Sequence, residues 1–417
     1  MLSPLLSPPL ADSVSSLRMT TPTAVQAAVL PKLLPHTGPQ DKAFPRLSLI
    51  VAPTGSGKTA AFTLPLLQAA YQHPYATQAI ILTPTRELAT QVYEHAVGLG
   101  ARLLASGGIV IHLAVGGTHA ASEGSQVARR PPHIVIGTPG RVAALLPDLR
   151  VKRLRFLVMD EADQLLRGAY SQGLRAIMAA VPAAPARHTI LVSATESPSL
   201  VRVCELRAPD LLHRDSTPVA EDRLDHRFWQ VRGKHRSAYV VALAQALPAS
   251  QQALVFVERR SEVPILGGVL RAQGVKTALL YADLEQKERD TGLAAFRTGR
   301  ARVLVATDVA ARGLDVPTVS VVLSTRIAQD QHLYTHRAGR TGRTSGVPGM
   351  SITLVSSTDL PALRVLERQM GFRFKSVAAD PQPDFLAQAT RGKNAAVKKV
   401  LRKVEMASAM VKNDLEE

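Results

Sequence analysis

The residues near the start of the chain that are best suited to chemistry form a glycine-rich turn, Ala52–Thr59, with the sequence APTGSGKT. A short apolar run, Leu47–Val51, precedes the turn, and residues 60–64 read as the start of a helix. Gly55 and Gly57 would let backbone N–H groups converge on phosphate oxygens, and a helix N-terminus adds positive partial charge. Strand, glycine-rich turn and helix together are the context that a phosphate-binding P-loop requires.

Two side chains of this turn have defined roles in a P-loop. Lys58 would reach the β- and γ-phosphates of a nucleoside triphosphate, and the Thr59 hydroxyl would bind Mg²⁺. The rest of the predicted phosphate cradle is Thr54, Gly55, Ser56 and Gly57. Ala52 stands where the strict pattern has its first glycine, so a chance turn is the alternative interpretation.

A pair of acidic residues, Asp160 and Glu161, follows another apolar run, Phe156–Met159. A carboxylate at a strand end near a P-loop suits Mg²⁺, so Asp160 is predicted to be a metal ligand together with Thr59. Glu161 is then placed to orient and deprotonate an attacking water. Acidic pairs after strands are common on protein surfaces, and the P-loop is what favours the catalytic interpretation.

Composition limits the class of protein. The 417 residues are enough for two or three domains, and 46% hydrophobic residues indicate a globular chain. The net charge of +17 favours a polyanionic partner, above all nucleic acid, with a basic solvated surface as the alternative. The single cysteine, Cys204, excludes an internal disulfide and a cysteine-rich zinc site, which indicates a reducing, intracellular compartment. No stretch approaches ~18 uninterrupted apolar residues, so we expect no transmembrane helix and no membrane partner.

The first 19 residues are rich in Ser, Pro and Leu and contain one acidic residue, Asp12. This composition faintly resembles an organellar transit peptide. The segment runs directly into residues that we assign to the fold, so nucleus, nucleolus, cytoplasm and organelle all stay open as compartments.

Apolar runs alternate with helix-compatible stretches along most of the chain, which predicts parallel sheets with helices on both faces. Polar residues follow the ends of these runs, where such sheets bind ligands. The predicted strands are Leu47–Val51, Ala79–Leu82, Ile111–Val115, Ile134–Ile136, Phe156–Met159, Thr189–Val192, Phe228–Val231, Ala253–Val257, Thr277–Leu280, Val303–Ala306, Val319–Leu323 and Ser351–Val355.

The alternation is interrupted over residues 206–223, which we predict to be a linker. The linker would separate a first domain, residues 1–205, from a second domain, residues 224–380. Basic residues on a helical pattern predict an amphipathic helical tail over residues 381–417. The tail could bind RNA or pack on the second domain.

Several motifs, in this order, resemble those of the DEAD-box RNA helicases, which are ATP-dependent enzymes built from two RecA-like domains. The matching segments are APTGSGKT, PTRELA (Pro84–Ala89), TPGR (Thr138–Arg141), DEAD (Asp160–Asp163), SAT (Ser193–Thr195) and HRAGRTGR (His336–Arg343). The resemblance implies an α/β fold of two tandem RecA-like domains, ATP and Mg²⁺ as cofactors, and RNA-dependent hydrolysis of ATP to ADP and phosphate. It implies local unwinding of duplexes or remodelling of RNA–protein complexes. The alternatives are an ATP-gated RNA clamp with little unwinding, and a different helicase or P-loop NTPase, for example one that acts on DNA.

The resemblance also assigns residues to the nucleotide site. Gln26, in the segment Pro22–Gln26, would read the adenine edge, which implies ATP. The second domain would contribute Asp308 and Asp315 to nucleotide binding and Arg340 and Arg343 as arginine fingers, with His336 in the same motif. If that segment is helical, its arginines at three-residue spacing share one face. Ser193 and Thr195 would couple the nucleotide state to domain closure, which RNA spanning both domains would favour.

For RNA, the resemblance implies contacts with the sugar–phosphate backbone, without sequence specificity. The residues concerned are Thr85, Arg86, Gly116, Gly117, Thr138, Gly140 and Arg141 in the first domain, and Arg289, Thr307, Arg312 and Arg337 in the second. Aromatic residues form 4% of the chain, and we expect no interleaving with basic residues and no stacking platform for bases. We expect a monomer, and protein cofactors stay open.

Three departures from the family pattern affect what can be expected. No aromatic residue precedes Phe44. The family has an aromatic residue upstream of the glutamine, and this aromatic residue stacks on adenine. Tyr281-Ala282 stands in place of His-Gly, and Ser324-Thr325-Arg326 in place of Asn-Tyr-Asp. The missing aromatic residue predicts either weaker adenine binding or an incomplete N-terminus. The other two changes predict altered coupling in the second domain, and all three leave the ATPase centre intact.

Overall fold

The computed structural model describes residues 6–19, 21–34, 47–53, 55–73, 76–116, 120–166, 168–183, 186–194, 200–203, 210–214, 224–231, 235–311, 319–342 and 349–377. The chain forms two compact units, the first from the described residues up to 214 and the second from those after 223. Each unit contains a parallel sheet of seven strands. The predicted α/β class with two RecA-like domains is confirmed.

The first sheet has the strand order β3–β4–β2–β5–β6–β1–β7. Its strands are β1 (Leu47–Val51), β2 (Ala79–Leu82), β3 (Ile111–Ala114), β4 (Ile134–Gly137), β5 (Phe156–Asp160), β6 (His188–Ser193) and β7 (Asp210–Arg214). The α-helices are α1 (Pro8–Ser16), α2 (Ala24–Leu33), α3 (Lys58–Gln72), α4 (Arg86–Leu99), α5 (Ala101–Ala105), α6 (Ala120–Arg129), α7 (Pro139–Leu145), α8 (Ala162–Leu165) and α9 (Ser171–Ala180). Short 3₁₀ helices are Leu146–Asp148, Val151–Arg153 and Gly168–Tyr170.

Alternate side chains of these strands enter two cores, one on each face of the sheet. Ile50 and Ile81 are buried on one face together with Phe62 of α3. Leu49 and Ile80 are buried on the opposite face. Because helices cover both faces, the strands carry nearly continuous apolar runs, and this is why the runs predicted the strands well.

The N-terminal helix α1 belongs to the first of these cores. Leu6, Leu10 and Val14 are buried in the cluster that also contains residues of α3. The Ser7 N–H donates to Gln68 Oε1 at 2.9 Å. The segment that resembles a transit peptide therefore packs as part of the first unit from residue 6 onward.

The predicted linker is wrong at residues 210–214, which form β7 at the edge of the first sheet. Asp210 pairs with Ser48, and Arg214 pairs with Val51. Lys32 Nζ donates to the carbonyl oxygen of Leu212 at 3.1 Å on this strand. An edge strand needs few buried side chains, so β7 lacks the continuous apolar run that marks the central strands. The other domain boundaries stay predictions.

The second sheet has the strand order β10–β11–β9–β12–β13–β8–β14. Its strands are β8 (Leu224–Gln230), β9 (Ala253–Val257), β10 (Thr277–Leu280), β11 (Val303–Thr307), β12 (Val321–Ser324), β13 (Gly349–Val355) and β14 (Lys375–Ser376). The helices are α10 (Arg236–Ala246), α11 (Glu262–Ala272), α12 (Gln286–Arg297), α13 (Asp308–Ala311), α14 (Gln331–Ala338) and α15 (Leu360–Met370), with a 3₁₀ helix at Ser357–Asp359.

The second sheet also has buried side chains on both faces. Trp229 of β8 is buried with residues of α10 and α11. Leu224 of the same strand is buried with Tyr334 of α14 and Leu363 of α15. Among the residues described, no helix has the length and apolar character needed to cross a membrane. The predicted helical tail, 381–417, lies outside the described residues.

Candidate active site and nucleic-acid contacts

The P-loop has the backbone geometry that phosphate binding needs. Gly55 and Gly57 have φ angles of +81° and +90°, in the left-handed region that glycine adopts at little cost. Gly57 precedes the first residue of α3, Lys58. The first N–H groups of a helix have no partner within the helix, so the N-terminus of α3 is suited to bind an anion at this loop.

The side chain of Lys58 folds back onto the P-loop. Its ammonium donates to the carbonyl oxygens of Ala52 and Pro53, at 2.8 Å for Pro53. Ser56 Oγ is buried and has no hydrogen-bond partner among the described residues. Thr59 is partly exposed in the first turn of α3. Phosphate oxygens could replace the carbonyls because hydrogen bonds between two charged groups are stronger. Thr54 lies outside the described residues.

Gln26 contacts the P-loop directly. It forms a capping box with Thr23, in which the Thr23 N–H donates to Gln26 Oε1 at 3.0 Å. Gln26 Nε2 donates to the Gly57 carbonyl at 3.3 Å. A Cβ at residue 57 would lie 2.6 Å from Gln26 Nε2, so this close approach requires glycine there. The capping pattern Thr-x-x-Gln in the sequence could have identified Thr23, which the sequence analysis missed.

The candidate metal ligand, Asp160, is the last residue of β5. Strand β6 lies between β5 and β1, so the carboxyl ends of all three strands meet at the edge that carries the P-loop. Burial raises the pKa of Asp160 to about 7, and the charge of Glu161 adds to the rise. The charge of Lys58 acts in the opposite direction and lowers the pKa. A further cation at this position would favour the ionised carboxylate.

The candidate base, Glu161, has a left-handed backbone with a φ of +51°. This conformation is uncommon for residues other than glycine, and it places Glu161 between the end of β5 and the start of α8. Gln164 Nε2 donates to Glu161 Oε2 at 2.6 Å. Gln164 therefore orients the carboxylate, a role that the motif alone does not show.

Ser193 connects the acidic turn with the P-loop. Its hydroxyl donates to Asp163 Oδ1 at 3.1 Å, and both side chains are buried. Its carbonyl accepts the Ala52 N–H at 3.1 Å. Ser193 thus contacts both motifs, so a shift of either motif would move it. Thr195 lies outside the described residues.

Two helix N-termini carry the predicted RNA contacts of the first unit. Thr85 caps α4, where its hydroxyl accepts the Leu88 N–H at 3.2 Å. Thr138 precedes α7, and Gly140 lies in the first turn of that helix. Strands β2 and β4 are neighbours, so both helices start at the same edge of the sheet. This edge offers backbone N–H groups to phosphates without reading bases.

Arg86 lies against Gly116, because a Cβ at residue 116 would be 2.5 Å from Arg86 Nη2. The guanidinium therefore covers the end of β3 at this same sheet edge. Gly117 lies outside the described residues.

Arg141 is held by a buried carboxylate that the sequence analysis missed. Arg141 Nε donates to Glu123 Oε2 at 2.9 Å, and Arg141 Nη2 also binds this oxygen. The other oxygen of Glu123 is 2.8 Å from His112 Nε2. Glu123 is only 6% exposed. Much of the Arg141 guanidinium is thus committed to Glu123. The two residues are 18 positions apart, and no sequence pattern predicts their contact.

In the second unit, Asp308 and Arg337 form a bidentate ion pair. Arg337 Nε and Nη2 donate to the two Asp308 oxygens at 2.6 and 2.7 Å. Arg337 also donates to the Arg326 carbonyl at 3.0 Å, and its guanidinium lies 5.5 Å from the centre of the Phe256 ring. The family resemblance implied separate roles for the two residues, with the nucleotide for Asp308 and with RNA for Arg337. In this structure each neutralises the other.

The prediction that the arginines of HRAGRTGR share one helical face is wrong for Arg340. Helix α14 ends at Ala338 with Gly339 as its cap, so His336 and Arg337 lie within it and Arg340 lies beyond it. Beyond it, the Thr341 hydroxyl donates to the Ser320 carbonyl at 3.2 Å and to that of Val319. These bonds hold the chain in an extended bridge, and Arg340 is buried. Arg343, Arg312 and Asp315 lie outside the described residues.

The remaining candidates of the second unit are fixed by local contacts. Arg289 Nη2 donates to the carbonyls of Tyr281 and Ala282 at 3.2 and 3.3 Å. Thr307 ends β11 and is buried. Arg326 is one of the departures from the family pattern, and its backbone carbonyl accepts a hydrogen bond from Arg337. That contact is insensitive to the side chain at 326.

Comparison with known proteins agrees with this geometry. The DEAD/DEAH box helicase family matches residues 23–203, and the helicase conserved C-terminal domain matches residues 238–345. The probable ATP-dependent RNA helicase DDX49 of Mus musculus is 38% identical over 376 residues, which cover 88% of this chain and 75% of that protein. The ATP-dependent RNA helicase dbp8 of Schizosaccharomyces pombe is 32% identical over 409 residues, covering 94% and 87% of the two chains.

Solved structures share the fold. S. cerevisiae Dbp5 bound to RNA and ADP BeF3 has a TM-score of 0.78 and 25% identity, covering 96% of this chain and 99% of that one. Mss116p bound to ssRNA and AMP-PNP also has a TM-score of 0.78, at 21% identity, covering 98% and 89%. The family matches and the two relatives of 38% and 32% identity show that the chain belongs to the DEAD-box family of ATP-dependent RNA helicases.

Proposed function

We propose that this chain is an RNA-dependent ATPase that grips the RNA backbone and unwinds short duplexes locally, or remodels RNA–protein complexes, as its two RecA-like domains close. The observation that carries the proposal is the convergence of Lys58, Asp160 and Glu161 at one edge of the first sheet. A cation for phosphates, a metal ligand and a base are the groups that phosphoryl transfer to water requires.

ATP would bind with its phosphates in the P-loop. Lys58 would exchange its loop carbonyls for β- and γ-phosphate oxygens, and Gly55 and Gly57 keep the backbone close enough for N–H contacts. Gln26 would read the adenine edge with the hydrogen-bonding capacity that its capping box leaves, since the amide has two N–H groups and two lone pairs on its oxygen.

Thr59 and Asp160 fit a magnesium site of the kind that nucleotides complete. The supporting observation is the buried carboxylate of Asp160, whose pKa is raised by burial and by Glu161. The described residues contain no cluster of three or more His, Cys, Asp or Glu that could form an all-protein cage. Mg²⁺ commonly keeps water and phosphate oxygens as ligands and needs few carboxylates. When bound, the ion would neutralise charge on the β- and γ-phosphates.

Glu161 would act as the general base. Gln164 holds one carboxylate oxygen at 2.6 Å, which leaves the other oxygen able to orient a water molecule and accept its proton. The fixed backbone at Glu161 keeps this carboxylate at the end of β5, beside Asp160.

The second domain would complete the site on closure. Arg340 and Arg343 would stabilise the charge of the transition state, an effect worth about 10³–10⁵ in rate. His336 would support them, and Asp308 and Asp315 would contact the nucleotide. Since these residues belong to a different domain from the P-loop, hydrolysis would depend on closure. RNA that spans both domains would favour closure and so stimulate hydrolysis.

The N-termini of α4 and α7, with Arg86 beside Gly116, would bind RNA phosphates in the first domain. The second domain would add Arg289, Thr307 and Arg312. Contacts of this kind carry no sequence information, so the enzyme would act on RNA by its backbone.

ATP hydrolysis measured without nucleic acid, with single-stranded RNA and with single-stranded DNA, beside displacement of a short RNA duplex, tests the proposal. We expect RNA to stimulate hydrolysis and ATP to be required for displacement. Stimulation without displacement would favour an ATP-gated clamp. Equal stimulation by DNA would contradict an RNA-specific enzyme.

A further inference from the structure

A groove on the second unit lies between the last turns of α15 and the segment that follows this helix. It has a volume of about 550 Å³ and is lined by Arg364, Glu367, Arg368, Gly371, Phe372 and Arg373. Clefts of ~300–1,000 Å³ hold small ligands in proteins. This set of lining residues includes none of those assigned above to nucleotide or RNA.

The aromatic ring of the groove has a fixed orientation. Gly371 ends α15 with a φ of +77°, which turns the chain so that Phe372 lies beside the helix. The Phe374 N–H donates to Glu367 Oε1 at 3.0 Å and ties this segment to α15. One face of the Phe372 ring stacks on His226, with 4.3 Å between centroids and 27° between planes. The ring also contacts Phe374, with 5.5 Å between centroids, and it is partly exposed, so part of it is open to a ligand.

The groove is strongly basic. The side chains of Arg364, Arg368 and Arg373 are exposed, and the exposed Lys375 follows closely. The one acidic side chain in the lining, Glu367, is buried and is paired with Arg364 at 2.7 Å. The segment from Phe372 to Lys375 alternates aromatic and basic residues, so the expectation that such interleaving is absent is wrong here. Exposed cations around an aromatic ring are typical of single-stranded nucleic-acid sites.

The groove is remote from the end of β11, and it lies nearer to α14, since the Phe372 and Tyr334 ring centroids are 6.5 Å apart. It adjoins β14, the edge strand, whereas Thr307 ends β11 and Asp308 follows it, five positions away in the strand order. Neighbouring strands are about 4.8 Å apart, so the two regions are separated by roughly 24 Å. A ligand in the groove therefore does not compete with groups bound at Asp308.

We propose that this groove binds single-stranded RNA, with one base stacked on Phe372 and adjacent phosphates bound by Arg368 and Arg373. The proposal rests on the RNA-binding function proposed above and gives the second domain an additional RNA contact outside the helicase motifs. Neither stacking nor phosphate contacts read base edges, so the site tolerates any sequence.

Binding of a long, labelled oligouridylate to the full chain, measured by fluorescence anisotropy with a non-hydrolysable ATP analogue over a range of salt concentrations, tests the groove. The double variant Arg368→Gln/Arg373→Gln should bind at least about fivefold more weakly and should lower the salt slope by about 1.4, since two phosphate contacts are lost at ~0.7 each. Phe372→Leu should weaken binding by about fivefold or more without changing the salt slope. Hydrolysis of ATP without RNA should be unchanged in the double variant.

The matched control is Arg297→Gln/Arg300→Gln, which removes two exposed arginines from another part of the same unit and should leave both affinity and slope as in wild type. Both arginine pairs are exposed, so the variants should fold. Wild-type affinity and slope in Arg368→Gln/Arg373→Gln would overturn the proposal. It would also be overturned if this variant lost binding of polyglutamate, measured in the same way, and kept its affinity for RNA. If the wild-type chain itself binds no RNA, the proposed function fails as well, and the two failures are thereby distinguished.

Discussion

Glu161 shows how a single residue is adapted to chemistry. It has a backbone conformation that few residues other than glycine adopt, and a glutamine in the next helical turn binds its carboxylate. Its neighbour Asp160 is buried, and the pKa of that residue is raised to about 7. The two adjacent carboxylates thus have different environments, since Asp160 is buried and Glu161 is partly exposed. Different environments suit different roles, a metal ligand for Asp160 and a base for Glu161.

Glu161→Gln should abolish turnover and preserve binding of ATP and RNA. Glutamine keeps the shape of the side chain but cannot accept a proton, so kcat should fall by about 10²–10⁴. Steady-state hydrolysis and retention of RNA in the presence of ATP measure the two effects. Asp12→Asn, a change at an exposed carboxylate on α1, should behave as wild type. Normal turnover in Glu161→Gln would remove Glu161 as the base.

His226 makes the stability of the second unit depend on pH. Burial lowers its pKa to about 4, with Lys375 adding to the decrease and Asp225 opposing it. Its Nδ1 lies 2.6 Å from the Tyr334 hydroxyl, and its buried Nε2 has no hydrogen-bond partner among the described residues. Protonation would therefore place an uncompensated N–H in an apolar site.

The unfolded chain binds a proton at His226 near pH 6.5, and the folded chain does so only near pH 4. The stability is thus fully present above pH 6.5 and is lost as the pH falls toward 4, by up to about 3 kcal/mol. Thermal unfolding followed by the fluorescence of Trp229, the one tryptophan, reports on this unit. His226→Gln should flatten the pH dependence, and His213→Gln in the first unit should not. An unchanged profile in His226→Gln would refute the assignment.

At the scale of elements, ion pairs connect secondary-structure elements that carry motif residues. Glu123 of α6 joins Arg141 of α7 to His112 of β3. Asp308 of α13 joins Arg337 of α14 to the end of β11. In both cases a carboxylate holds an arginine of a motif, and the position of one helix depends on another.

Glu123→Gln should weaken RNA binding without affecting chemistry, because Arg141 would lose the charge that positions it. We expect the concentration of RNA that gives half-maximal ATPase stimulation to rise by about tenfold, a cost of about 1.4 kcal/mol for a charged hydrogen bond. The kcat at saturating RNA should be unchanged. Glu94→Gln, at an exposed position of α4, is the control. A fall in kcat with unchanged RNA dependence would contradict a positioning role.

Asp308→Asn should destabilise the second unit by about 3 kcal/mol, because it leaves the buried guanidinium of Arg337 without its anion. Urea unfolding followed by Trp229 fluorescence measures the loss. Asp283→Asn breaks an exposed pair with Arg260 and should cost no more than about 1 kcal/mol. Equal effects of the two substitutions would show that the Asp308–Arg337 pair contributes little.

At the scale of the molecule, the sequence predicted those strands whose side chains are buried on both faces of a sheet. The runs Ala79–Leu82, Ala253–Val257 and Thr277–Leu280 coincide with strands because both faces of each sheet are covered. The motif order was sufficient for the family. Strand β7 was missed because an edge strand needs no apolar run.

What the sequence could not predict depends on tertiary contacts. Three contacts join residues that are separated in the chain, and no periodicity predicts them. They are Gln26 with Gly57, Glu123 with Arg141, and Phe372 with His226. The burial of Arg340 beyond the end of α14 has the same origin, because the cap at Gly339 overrides the three-residue spacing.

The kcat of ATP hydrolysis with and without saturating single-stranded RNA, in wild type and in Arg340→Ala, tests the central claim most directly. Closure coupled to RNA predicts that RNA raises the wild-type kcat by at least about tenfold. Arg340→Ala should lower the stimulated kcat by about 10³, with little change in ATP affinity, since a finger acts in the transition state. A wild-type kcat that is indifferent to RNA, or a variant that loses ATP binding and keeps its kcat, would contradict the account.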